Sequence, residues 1–209
     1  NIVMIKREIQ SSILADFKRK KVIVLLGARQ VGKTTLLLSL QSDKERVLSL
    51  NCDNIDDRLL LEARTSTELK YLLSSYDMAF IDEAQRVKNI GLTLKMIGDL
   101  KLDTQIVVTG SSSFDMANEI NEPATGRLIE YNLYPFSLAE LAADTSEREE
   151  KRLLENRLIY GLYPEVVTEP ADAKRTLMSL TNNYLYKDLF SYKGLKKPDV
   201  IQKLVRALA

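Results

Sequence analysis

Val22-Ile23-Val24-Leu25-Leu26-Gly27-Ala28-Arg29-Gln30-Val31-Gly32-Lys33-Thr34 decides the fold. An apolar run long enough for one buried strand leads into G-x-x-x-x-G-K-[ST], and the leucine-rich segment from Thr35 to Leu40 reads as a helix. A glycine-containing strand-to-helix turn that binds nothing would satisfy the pattern alone, but strand and helix together predict a phosphate cradle. Gly27 and Gly32 permit the tight path on which the N–H groups of Ala28, Arg29, Gln30 and Val31 turn inward, and the helix adds its positive end. Lys33 is expected to reach the β- and γ-phosphates of a nucleoside triphosphate, the Thr34 hydroxyl to ligate Mg2+, and Thr35 to close the nucleotide-binding stretch. Arg29 is expected to project outward across the loop, toward a neighbour or the base-side cleft.

Working outward, the chain alternates strands and helices. Arg7 to Phe17 carries Ile9, Ile13, Leu14 and Phe17 at helical spacing, and the basic run Lys18-Arg19-Lys20-Lys21 reads as a solvated loop. Strands are expected at Val47–Asn51, Met78–Ile81, Gln105–Thr109 and, more polar, Leu128–Leu133 before Pro135. Helices are expected over Leu59–Leu73, interrupted near Thr65-Ser66-Thr67, and over Asn89–Leu100. This order predicts an α/β fold, a three-layer P-loop NTPase with a mostly parallel five-stranded sheet. After Pro135 the pattern turns helical, with segments at Ser137–Leu141, Glu147–Tyr160 and Lys174–Phe190.

The Met78–Ile81 strand delivers Asp82 and Glu83 to its carboxyl end, the edge where open α/β sheets bind ligands. Asp82 is expected to hold the Mg2+ hydration shell and Glu83 to polarise the attacking water; the plainer reading is an N-cap pair for the next helix. With no histidine in the chain, a carboxylate is the natural general base. Thr109-Gly110-Ser111-Ser112-Ser113 ends the next strand. If that strand lies between the first and third, Thr109 is the first choice for a γ-phosphate sensor and Ser111 the second. A turn capping a helix at Phe114–Ile120 is the alternative. Arg127, after Gly126, has the chemistry of a cation supplied from a neighbouring subunit, although a structural or surface arginine fits its spacing equally well.

Composition narrows the field. Of 209 residues, 45% are hydrophobic and 28% charged with a net charge of +1, an ordinary balance that gives no electrostatic case for broad nucleic-acid binding. The single cysteine, Cys52, excludes an intrachain disulfide, and the lack of histidine excludes His-based triads and metal sites. No apolar run spans a bilayer and no signal-peptide core opens the chain, so the expectation is cytoplasmic with no membrane partner. No N-K-x-D segment reads guanine, which favours adenine.

Taken together, these segments resemble prokaryotic AAA+ P-loop ATPases with an AAA domain followed by a C-terminal domain of unknown function (DUF4143). The resemblance rests on Leu26 to Thr34, Phe80-Ile81-Asp82-Glu83-Ala84-Gln85, Val108 to Ser113, and Gly126-Arg127 ahead of Leu133-Tyr134-Pro135-Phe136-Ser137-Leu138-Ala139-Glu140-Leu141. It continues through Gly161-Leu162-Tyr163-Pro164-Glu165-Val166 and Tyr184-Leu185-Tyr186-Lys187-Asp188-Leu189, nearly the whole chain in order. One departure is Gly-Leu-Tyr-Pro at 161–164, where a second glycine is usual. The resemblance implies ATP hydrolysis by Lys33, Thr34, Asp82 and Glu83, with Thr109 or Ser111 as sensor. It also implies a homo-oligomer in which Arg127 serves as an arginine finger in trans. The implied domains are an ATPase core at 1–136, a helical lid or linker at 137–197 and the start of a truncated C-terminal domain at 198–209. That missing region would contribute a DNA or protein partner. The alternatives are a nucleotide-dependent interaction or DNA-associated switch with negligible turnover and, against the adjacent Asp82-Glu83 pair, a small-molecule phosphotransferase.

Overall fold

The computed structural model describes residues 4–41, 46–111 and 126–181, with 203 and 207. Five strands form one parallel sheet: β1 (Val22–Gly27), β2 (Val47–Asn51), β3 (Met78–Asp82), β4 (Gln105–Gly110) and β5 (Leu128–Leu133), in the order β2-β3-β4-β1-β5. Position in that order explains composition. β1 and β4 are interior and buried along their whole length, so both faces demand apolar side chains. β2 and β5 are the edges and keep polar residues such as Ser49, Glu130 and Asn132.

Alternate residues of β1 enter opposite layers, as strand geometry requires. Val22, Val24 and Leu26 pack with Leu69 and Leu73 of α4 (Ser66–Leu73) and with Ile90, Leu94 and Ile97 of α5 (Ile90–Leu100). Ile23 and Leu25 face Ile13 of α1 (Ile9–Asp16) and Leu36, Leu37 and Leu40 of α2 (Lys33–Leu40). The result is the three-layer α/β P-loop NTPase fold expected from the sequence.

Local signals set the helix ends. α3 (Ile55–Leu59) starts ahead of the expected segment because the Asn54 side chain accepts the Asp56 N–H. Thr65 and Glu68 form a capping box at α4, which separates it from α3. A second capping box, Ser137 with Glu140, opens α6 (Leu138–Asp144). The expected continuous helix over Glu147–Tyr160 is instead α7 (Glu147–Arg152) and α8 (Leu154–Tyr160), broken at Leu153, whose ψ is near 0.

The chain divides into compact units at 1–152 and 153–209. α6 and α7 therefore cluster with the sheet, where the Arg7–Glu140 ion pair ties α6 to the N-terminal segment at 3.0 Å. In the second unit, α10 (Ala173–Leu180) packs on α8 and on α9 (Pro164–Thr168), a short helix with proline in its first turn that periodicity did not reveal. Among the described residues there is no strand after β5, and no helix is long and apolar enough to cross a membrane. The expected helix at 114–120, Ser112 and Ser113, the Tyr184–Leu189 segment and the 198–209 domain start fall outside the described residues, apart from 203 and 207.

Candidate functional site

The loop between β1 and α2 is shaped by two left-handed residues, Gln30 (φ 59°) and Gly32 (φ 98°), on either side of the fully buried Val31. Such a backbone turns successive N–H groups toward one concavity. Gly27 is required by space: a Cβ there would lie 2.6 Å from the Leu133 carbonyl of β5. Lys33 is buried, and its Nζ donates to the carbonyls of Gly27 at 2.8 Å and Ala28 at 3.0 Å. These are neutral acceptors; a phosphate oxygen is a stronger, charge-assisted partner for the same ammonium. Thr34 and Thr35 are exposed on the first turn of α2, and Arg29 is half-buried with its Nε shielded from solvent.

Asp82 gathers the adjoining elements. Its Oδ2 accepts the Thr34 hydroxyl of α2 at 3.2 Å, and its Oδ1 accepts the hydroxyl of Thr109, fully buried in β4. The Glu83 N–H donates to both Asp82 Oδ1 at 3.0 Å and Thr109 Oγ1 at 3.3 Å. β4 lies between β1 and β3, which is the arrangement on which the Thr109 expectation depended. Glu83 is left-handed (φ 53°), so its side chain departs from the line of β3, and its carboxylate accepts the Gln85 side-chain amide. Gln85 was part of the sequence motif but carried no expected role. Ser111 follows Gly110, which is in register with Leu26, and so leaves the sheet beside Gly27.

The oxygen donors Thr34 and Asp82 suit Mg2+, which binds through one or two protein oxygens plus waters and substrate phosphates. Among the described residues no group of three or more His, Cys, Asp or Glu could hold a metal ion. Cys52, whose N–H donates to the Asp82 carbonyl at 2.9 Å, is pushed up to about 12 by burial and then by Asp57 and Asp82. It is therefore unsuited as a thiolate nucleophile or base at neutral pH.

Arg127 is not brought to this site. It precedes β5 at the amino end of the strands, with its carbonyl accepting the Val22 N–H at 3.2 Å, roughly 20 Å along β1 from Gly27. Its guanidinium pairs with Asp99 of α5, and its Cβ packs over Gly98. Arg7, which the sequence marked only as a helix start, does reach the loop. Its Nη1 donates to the Val31 carbonyl at 3.1 Å and its Nε to Glu140 Oε1 at 3.0 Å; Nη2 contacts the Tyr134 carbonyl and, at 3.5 Å, that of Pro135. The guanidinium stacks over Phe136, 4.7 Å from the ring centroid.

Residues 19–142 match a family model described as an AAA domain, and residues 151–209 one described as a domain of unknown function (DUF8612), where the resemblance had implied DUF4143. An uncharacterized protein of Haemophilus influenzae is 28% identical over 225 aligned positions covering 99% of this chain. The chain spans 56% of that relative's length. The Walker-type ATPase of Pyrococcus abyssi superposes with a TM-score of 0.56 over 98% of this chain and 75% of its own, at 16% identity, a likeness of fold.

Proposed function

The chain belongs to the AAA-domain family, and on that premise we propose that it binds ATP at Gly27–Thr35 and hydrolyses it to ADP and phosphate with Mg2+. The observation that carries this reading is Asp82, hydrogen-bonded through one oxygen to Thr34 of the loop helix and through the other to Thr109 of the neighbouring strand, with Glu83 next in sequence. That convergence supports a site where phosphate donors, metal oxygens and a water-activating carboxylate work on one substrate.

In this mechanism the loop N–H groups and Lys33 bind and orient the β- and γ-phosphates. Thr34 and Asp82 would hold Mg2+, which supplies positive charge against the phosphate oxygens. Glu83 accepts a proton from water as the water oxygen bonds to the γ-phosphorus and the bond from that phosphorus to the β,γ-bridging oxygen breaks, with ADP as the leaving group. Thr109 keeps Asp82 and the Glu83 backbone in register and is the preferred γ-phosphate sensor; Ser111 is the second candidate. Arg127 would act in trans in a homo-oligomer, since its own loop lies at the opposite end of β1. That distance also favours a second reading, an ATP-dependent switch whose turnover is negligible until copies assemble. Coupling of nucleotide state to the 153–209 unit, to a longer C-terminal region of DUF4143 type or to a DNA or protein partner extends the same proposal, as does action in the cytoplasm.

Lys33→Ala tests the loop. Titration with a fluorescent ATP analogue should show binding in the wild type and a loss of about tenfold or more in the variant, the scale of a charged hydrogen bond. Equal affinity in both would remove the loop from the phosphate site.

A further inference from the structure

Arg7 makes more polar contacts than the start of a helix needs. Its guanidinium is buried, and each of its nitrogens has an acceptor among the Val31, Tyr134 and Pro135 carbonyls and the Glu140 carboxylate. Glu140 is equally committed. Oε1 also accepts the Glu8 N–H at 2.9 Å, and Oε2 accepts the Ser137 N–H at 2.9 Å in the capping box of α6. One buried ion pair therefore joins the N-terminal segment, the middle of the phosphate loop and the first turn of the helix after the sheet.

The Val31 contact gives this pair a functional consequence. Val31 sits between the left-handed residues Gln30 and Gly32, the part of the loop where the backbone reverses. A loop cradles phosphate only while its N–H groups face inward and its carbonyls face away, because an inward carbonyl repels the anion. With its oxygen held by Arg7, the Val31 peptide is fixed in one orientation. Lysine cannot reproduce this: its ammonium is a point charge on a flexible stem, whereas the planar guanidinium serves a carboxylate and several carbonyls from fixed directions. We propose that Arg7 is a positioning residue for triphosphate binding: through the Val31 carbonyl it fixes the phosphate loop, and through Glu140 it makes that loop's shape depend on the seating of α6. This rests on the reading that Gly27–Thr35 binds ATP.

The test compares wild type, Arg7→Lys and the pair Arg7→Met with Glu140→Met in the full chain. Affinities for ATP and for inorganic tripolyphosphate are measured alongside thermal melting with and without ATP. Both variants should melt cooperatively, lose about tenfold or more in affinity for both ligands, and show a smaller ATP-induced rise in Tm than wild type. The double variant, which removes the buried charges together, keeps the test open if Arg7→Lys does not fold. A lowered melting temperature with affinities within about twofold of wild type would make Arg7 a structural residue only and overturn the proposal. Wild type that binds neither ligand would instead overturn the ATP-site reading beneath it.

Discussion

At the residue scale, placement depends on small steric and electrostatic margins. A methyl group at Gly27 would meet the Leu133 carbonyl at 2.6 Å, so Gly27→Ala should cost about 1–3 kcal/mol in a urea titration and weaken ATP binding by displacing the loop from β5. Two acids held neutral by the fold give a pH signature. Cys52 is raised from 9.0 to about 12, and Tyr131, chiefly by burial and then by the hydrogen bond to Asp16, from 10.0 to about 12. Raised folded-state values mean the unfolded chain releases protons first. Their contribution is therefore complete below pH 9 and is lost as pH climbs toward 12. Melting temperature should fall across that alkaline window, and Cys52→Ala should remove part of the decline. The loop, Asp82 and Glu83 were legible because their spacing follows directly from a strand end. Arg7 was not: its partner Glu140 is 133 positions away, and no local pattern joins them.

At the element scale, burial on both faces made β1, β3 and β4 readable as apolar runs, and their edges fell within one residue of expectation. β5 was readable as polar, though not as an edge strand paired with β1, because pairing is set by tertiary contacts. The position of Thr109 likewise needed the sheet order, which places the β4 tip beside Asp82. The break at Leu153 was hidden because apolar periodicity runs through it. Capping is the element-level feature most open to test. Thr65→Ala should cost about 1 kcal/mol by removing the acceptor for the Glu68 N–H. The heavier case is Glu140→Ala, which strands a buried guanidinium and should cost about 3–5 kcal/mol, with partial recovery when Arg7→Met is added. A double-mutant cycle in denaturant would measure both.

At the scale of the whole molecule, the nucleotide loop and Arg127 lie at opposite ends of the neighbouring strands β1 and β5, the loop at the carboxyl end and Arg127 at the amino end. In a homo-oligomer with trans catalysis, specific activity should rise with protein concentration. Mixing Glu83→Gln with Arg127→Ala protomers should restore turnover that neither has alone, since each retains what the other lacks. Activity independent of concentration, with no restoration on mixing, would assign the Asp99-paired arginine a structural role. The central claim concerns the site itself, and Glu83→Gln probes it most directly because the substitution removes the proton acceptor while preserving shape. ATP affinity and phosphate release measured together should show binding close to wild type with turnover reduced about 100-fold or more. Unchanged phosphate release in Glu83→Gln would contradict the account.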